Sequence, residues 1–216
     1  MFALHLIPGH GNKGSRDDPG AGADVDGDGT VERHEHEAPF VRDWAGRMEA
    51  AAAWRGWPCF VYGIGGYKTR NAQCKTRIAS MPTHRHVVLY LHLNAVADTR
   101  ANHSMINRHP DSTFGQVFMP IMANAWDTHL PSMTRGNRPT KMCAYTGQEP
   151  QRWKRNCAAV VGPSFGFPDK SFGLLLEPWF LSALTNLGEG IYQQWMQATV
   201  MATVMGLVRI EEAWTT

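Results

Sequence analysis

The sequence predicts a single α/β domain in which helices cover both faces of a twisted, mostly parallel or mixed β-sheet. Three observations carry that reading. The short apolar runs "FALHLIPGH", "HVVLYLH" and "FGLLLE" have the composition of strands buried on both faces. Long segments with helical spacing lie between and after them. A chain of 216 residues, 43% of them hydrophobic, can bury one sizeable core, so residues 1–216 are read as one domain.

The elements follow in order. The first apolar run ends at His10. "EAPFVRDWAGRMEAAAAWRGW" then places Phe40, Trp44, Met48 and Ala52 four residues apart on one helical face, with Pro39 tolerated in the first turn and Gly56 and Pro58 as stops. "CFVYGI" is the next strand, and the second apolar run ends at His92. "FGQVFMPIMANAWDTHL" has helical spacing in Phe118, Met122 and Trp126, although Pro120 blurs its start. The third run ends at Glu177, and a long final helix is expected to turn Leu187, Ile191, Trp195 and Met205 toward the core. No internal repeat is evident, and the stretches richest in Gly and Pro, 11–30 and 131–170, read as loops.

Composition narrows the function classes. A formal charge of +2 is too small to predict nucleic-acid binding. No run approaches the length of a membrane span. "MFALHLIPGHG" has neither a basic n-region nor a long apolar h-region and reads as a buried strand, not a secretion signal. Cys59, Cys74, Cys143 and Cys157 are scattered without a C-x-x-C pair, which argues against a thiolate metal site and for neutral thiols in a reducing compartment.

The most specific local pattern is "DVDGDGTVERHE", residues 24–35. It sets Asp24, Asp26 and Asp28 at positions 1, 3 and 5 of a calcium loop, Gly29 at 6, Thr30 at 7 with its backbone carbonyl, Val31 at 8 as an apolar anchor and Glu35 at 12. No clear helix precedes Asp24, so the expectation is an isolated calcium loop rather than a paired EF-hand. Glu37 is then free for another task, because residues two apart at a helix start project in different directions. If the apolar strands are parallel, their carboxyl ends share one edge, and His10, His92 and Glu177 converge there. His34 and His36 read as solvated, and His84, His86, His103, His109 and His129 as surface or supporting residues.

In this order the motifs resemble the zinc-dependent N-acetylmuramoyl-L-alanine amidases called amidase family 3, found among bacterial cell-wall enzymes and phage endolysins. "IPGHG" with "DPGA" resembles the opening strand and first zinc histidine, which implies His10. "EAPFVRDWAGRM" is similar to the acidic helix start, which implies Glu37 as a zinc ligand, with Glu35 as the alternative. "VVLYLHLNA" resembles the strand before the second zinc histidine, His92. "SMINRHPDS" is similar to the strand and turn that follow it. "LLLEPWFLSALTN" resembles the turn that presents a catalytic glutamate, Glu177. Two histidines and one carboxylate leave a fourth zinc position for water, and a nearby carboxylate can carry its proton to a leaving nitrogen.

The resemblance implies hydrolysis of the amide between N-acetylmuramic acid and L-alanine in peptidoglycan. The expected setting is a monomeric phage lysis enzyme, made in the host cytoplasm without a signal peptide and reaching the wall once the membrane is permeabilised. Two alternatives stand beside it: a zinc peptidase cutting within the stem peptide, and a non-catalytic calcium-dependent wall-binding module. The chain departs from the family pattern in the longer stretch between His10 and Glu37, in the proline after Glu177 and in the poorly matched 131–170 region.

Overall fold

Strand β1 (Phe2–Pro8) is buried at every position, as an apolar run covered on both faces requires. The computed structural model describes residues 1–12, 17–25, 28–94, 103–130, 139–145, 148, 150, 170–184 and 188–215. A two-stranded hairpin, β2 (Gly11–Asn12) and β3 (Asp17–Asp18), follows β1. In the main sheet β1 pairs in parallel with β4 (Cys59–Val61) and β5 (Arg85–Leu91), and β5 pairs in parallel with β8 (Ser171–Glu177). On its far side β8 pairs antiparallel with β6 (Met105–Arg108), which runs parallel to β7 (Lys141–Ala144). The order is β4-β1-β5-β8-β6-β7, a six-stranded mixed sheet that is mostly parallel.

Among the described residues four α-helices accompany the sheet: α1 (Glu37–Trp54), α2 (Tyr67–Ala79), α3 (Thr113–His129) and α4 (Glu189–Thr215). Phe2, Leu4 and Leu6 point into a core shared with Trp44 and Met48 of α1, Met122 and Trp126 of α3, and Leu207 and Ile210 of α4. Ile7 points the other way, into a smaller cluster with Tyr62 and with Cys74 and Ile78 of α2. Alternation along a strand produces this division, and it puts helices on both faces of the sheet. No described helix is long and apolar enough to cross a membrane.

The α1 face is as its spacing predicts: Phe40, Trp44, Met48 and Ala52 are all buried. Gly56, at φ +71, closes the helix in the left-handed conformation that only glycine adopts without strain, and its N–H donates to the Ala53 carbonyl. Helix α3 starts before Pro120, at a Ser112 cap whose hydroxyl accepts from the Gly115 N–H, so the proline sits inside the helix.

Three sequence expectations need correction. Met205 is 38% exposed; the buried face of α4 runs instead through Tyr192, Met196, Thr199, Thr203, Leu207, Ile210 and Trp214. Threonines at two of those positions hid the stripe: the Thr203 hydroxyl is satisfied by the Thr199 carbonyl and by the Trp126 indole N–H. The 131–170 stretch, read as loop, contributes β7, a four-residue strand too short and too exposed to announce itself. Helix α2 was not anticipated, because it buries only Arg70, Cys74 and Ile78 and its apolar stripe is too thin to read. Leu187, also expected in the α4 face, lies outside the described residues.

Candidate metal centre

The parallel register brings the three apolar strands to a common edge. Pro8 pairs with Leu91, and Leu91 pairs with Leu176. His10 lies two residues past the end of β1, His92 follows β5 directly and Glu177 closes β8. Glu37, the first residue of α1, reaches the same place because its N–H is held by the Ala21 carbonyl. One ligand atom each from His10, Glu37 and His92 fall within 4.8 Å of one another.

Within this group the Glu37 carboxylate bridges the two rings. Its Oε2 is 3.1 Å from His10 Nε2 and its Oε1 is 3.0 Å from His92 Nδ1, while the Leu93 N–H donates to Oε1 at 2.9 Å. Burial pushes the Glu37 carboxyl up, but the hydrogen bonds and charges of His10 and His92 outweigh it and hold the pKa at about 2. Burial lowers His10, yet its bonds to Glu37 and Asp18 raise it overall. The separations suit a shared cation. Donors about 2.0–2.1 Å from a tetrahedral zinc stand roughly 3.3 Å apart, close to the two Glu37–histidine separations, and one ligand atom of each residue lies within 4.8 Å of the others. Two imidazoles and one carboxylate are also the donor set of a zinc site with an open position.

The backbone around the group is shaped to this arrangement. A Cβ on Gly9 would lie 2.5 Å from His92 Cε1, and one on Gly20, at φ +76, would lie 2.9 Å from both Glu37 Cβ and His10 Cγ. His10 itself has φ 54, a left-handed conformation that costs a non-glycine residue about 1–3 kcal/mol. Arg70 holds that turn. Its guanidinium is buried and donates to the carbonyls of Pro8, His10 and Gly63.

Glu177 faces the same edge. It is 8% exposed, and its Oε2 has no hydrogen-bond partner among the described residues. Burial, then the neighbouring Glu37 charge, raises its pKa to about 8. A buried carboxyl of this kind, with one oxygen unpartnered among the described residues and the Glu37 charge nearby, is suited to carrying a proton. The proline after it does not displace the strand end: the Pro178 carbonyl accepts from the Ser104 hydroxyl.

The calcium-loop residues are arranged differently from the expectation. Asp24 Oδ2 accepts from the Gly29 N–H at 2.9 Å, and Gly29 has the positive φ of +92 that position 6 requires. Asp28 Oδ1 accepts from the Thr30 N–H and hydroxyl. Glu35 is buried and takes the Val25 N–H on Oε1 and the Glu32 N–H on Oε2, so both its oxygens serve backbone groups. Val31 is 46% exposed and is not the apolar anchor; Ala23 and Val25 are buried instead. Asp26 lies outside the described residues. Among those that are described, Asp24, Asp28 and Glu35 do not form a compact donor group, whereas Glu32, His34 and Glu35 do.

Sequence reasoning missed Asp18, Tyr67 and Arg70 around the candidate metal centre; only the Asp in "DPGA" carried any signal. It also missed a buried chain on the α2 side of the sheet. There Tyr62 OH lies 2.8 Å from His5 Nδ1, His5 Nε2 lies 3.0 Å from His86 Nδ1, and His86 Nε2 lies 3.0 Å from the Met81 carbonyl. His86 is 1% exposed, a core residue and not the surface or supporting group expected.

No protein-family profile and no curated protein matches the chain. Solved structures do. The catalytic domain of CwlV, an N-acetylmuramoyl-L-alanine amidase from Bacillus (Paenibacillus) polymyxa var. colistinus, is similar with a TM-score of 0.65 at 15% identity, covering 98% of this chain and 99% of that one. An N-acetylmuramoyl-L-alanine amidase from Clostridium difficile 630 gives a TM-score of 0.70 at 14% identity, covering 98% and 97%. An N-acetylmuramyl-L-alanine amidase from Mycobacterium smegmatis gives 0.63 at 13%, again covering 98% and 97%. The chain therefore has the fold of these amidase catalytic domains over nearly its whole length.

Proposed function

We propose that this chain, built on the amidase fold, is a zinc-dependent N-acetylmuramoyl-L-alanine amidase that hydrolyses the bond between N-acetylmuramic acid and L-alanine in peptidoglycan. The observation that carries the proposal is the gathering of one ligand atom each from His10, Glu37 and His92 within 4.8 Å beside a buried Glu177 whose Oε2 has no partner among the described residues. The ligand assignment is part of the proposal: His10, Glu37 and His92 hold zinc.

Zinc bound there supplies Lewis-acid polarisation of the amide carbonyl and lowers the pKa of a coordinated water to about 7. The remaining work falls to side chains. Glu37 holds its charge at low pH and balances the cation. Glu177 is the catalytic acid and base: it takes a proton from the attacking water and gives it to the departing alanine nitrogen. A cation beside Glu177 favours its ionised form, so metal loading draws its pKa down from the raised value and readies it to accept that proton.

The loop at 24–35 is proposed to take calcium in a structural role. Its support is the Asp/Asp/Asp/Gly/Glu spacing and the Asp24 closure onto Gly29. Binding would draw Glu35 away from the Val25 and Glu32 amides. A lytic role in phage release is the proposed setting, supported by the family resemblance of the motifs.

The test is mass spectrometry of soluble products from purified peptidoglycan digested by zinc-loaded protein. Intact stem peptides with a new L-alanine amino terminus support the amidase. Fragments cut inside the stem would replace it with a peptidase, and no release at all would leave a wall-binding module.

A further inference from the structure

Each histidine has two ring nitrogens, and only one can face a cation. What lies behind each ring decides which one does. His10 turns Nε2 toward Glu37 and Nδ1 toward Asp18, whose Oδ2 lies 3.1 Å away. His92 is reversed. It turns Nδ1 toward Glu37 and Nε2 outward to the Tyr67 hydroxyl at 2.6 Å.

The chemistry of the two outer partners differs. A carboxylate only accepts, so the Asp18 contact keeps a proton on His10 Nδ1 and leaves the Nε2 lone pair facing inward. The Nδ1–Asp18 pair has the separation of a charge-assisted bond but a poor angle, since Nδ1 is buried and makes no well-aligned hydrogen bond. A small rotation of the carboxylate closes it. A phenol both donates and accepts. Tyr67 can donate to His92 Nε2 while Nδ1 carries a proton toward Glu37, and it can accept from Nε2–H once Nδ1 turns its lone pair to a cation.

The two partners are themselves fixed. Asp18 belongs to β3 of the hairpin after β1, and Tyr67 opens α2. Tyr67 stacks on His92 with centroids 6.0 Å apart and an interplanar angle of 28°, and the Arg70 guanidinium lies 5.9 Å from the Tyr67 ring centroid. The same guanidinium donates to the carbonyls of Pro8 and His10. One buried cation thus holds the backbone of the first histidine and the outer partner of the second.

We propose that Asp18 and Tyr67 are positioning residues, Asp18 selecting the Nδ1–H tautomer of His10 and Tyr67 holding the His92 ring with Nε2 outward, so that His10 offers Nε2 and His92 offers Nδ1 to the metal. The inference rests on the zinc-site reading above and specifies it. Outer partners of this kind change metal affinity about 10- to 100-fold when removed, because a ring free to rotate or to hold the wrong proton must be reset before it can bind.

The experiment loads the full chain, carrying isotope-labelled histidine, with cadmium and reads through-bond cadmium–nitrogen couplings by NMR. Coupling to His10 Nε2 and to His92 Nδ1 is the expected result. Coupling of both rings through the same nitrogen type overturns the tautomer assignment while leaving the metal site standing. No coupling to either ring overturns the metal site itself.

Zinc affinity, measured by chelator competition, tests the positioning roles separately. Tyr67→Phe and Asp18→Ala should each weaken zinc about 10- to 100-fold with the metal-free melting temperature little changed, and Asp18→Asn, which keeps an acceptor oxygen, should recover part of the loss. Unchanged affinity in Tyr67→Phe and Asp18→Ala would remove both residues from this role.

Discussion

In the proposed mechanism a single carboxyl separates metal binding from turnover. Glu177 is not among the three converging ligands, so Glu177→Gln should abolish amide hydrolysis while the protein retains its zinc, as read by product release and metal content on one sample. Near-normal turnover would take Glu177 out of the mechanism. His5 gives a residue-scale prediction away from the site. Burial first, then the nearby His86 and Arg77, lower its pKa from 6.5 to about 3. The unfolded chain therefore binds that proton before the native state does. Stability from His5 is fully present above pH 6.5 and is lost as pH falls toward about 3. His86 is lowered as well and His10 shifts the other way, so the measurement is the difference between wild type and His5→Gln. Urea melts across that window should show a shallower acid loss in the variant, and parallel curves would refute the assignment.

Between elements, α3 and α4 fit closely. A Cβ on Gly206 of α4 would lie 2.5 Å from Met122 Sδ and 3.4 Å from Ala125 Cβ. Two effects compete in Gly206→Ala. Alanine gains about 1 kcal/mol of helix propensity, whereas overpacking a filled core costs about 1–3 kcal/mol. Met122 is fully buried and two of its atoms lie within 3.1 Å of the added Cβ, so overpacking should win and the variant should be less stable by urea denaturation. In a Met122→Ala background the same change should become stabilising. Failure of the sign to reverse would mean that the Gly206 contact does not limit the packing of the two helices. The elements also show where periodicity misleads. In α1 the apolar spacing and the buried face coincide. In α4 apolar residues surround the helix, and the face that packs is marked by Thr199 and Thr203, which hydrophobicity alone ranks low.

For the whole molecule, calcium and zinc are expected to act differently. A ligand that binds only the native state stabilises by mass action, about 2.7 kcal/mol at a hundredfold excess over Kd. If the 24–35 loop takes calcium, Asp24→Ala should remove most of the rise in melting temperature that calcium gives and leave the rise from zinc intact. An unchanged calcium effect would place the ion elsewhere.

What could be read from the chain alone was whatever a local pattern encodes. Unbroken apolar runs specified β1, β5 and β8, four-residue spacing specified α1, and the residue ending each run named His10, His92 and Glu177. Glu37 came from family resemblance at a helix start. Tertiary structure decided everything that depends on partners distant in sequence. Asp18 and Tyr67 meet the two histidines only because β3 and α2 pack at the carboxyl edge of the sheet. Arg70 is a core residue because three backbone carbonyls converge on it, and Glu35 meets backbone amides that the loop spacing had reserved for an ion. Burial and hydrogen-bond satisfaction are properties of assembled surfaces, so one-dimensional spacing can nominate a ligand but cannot say what stands behind it.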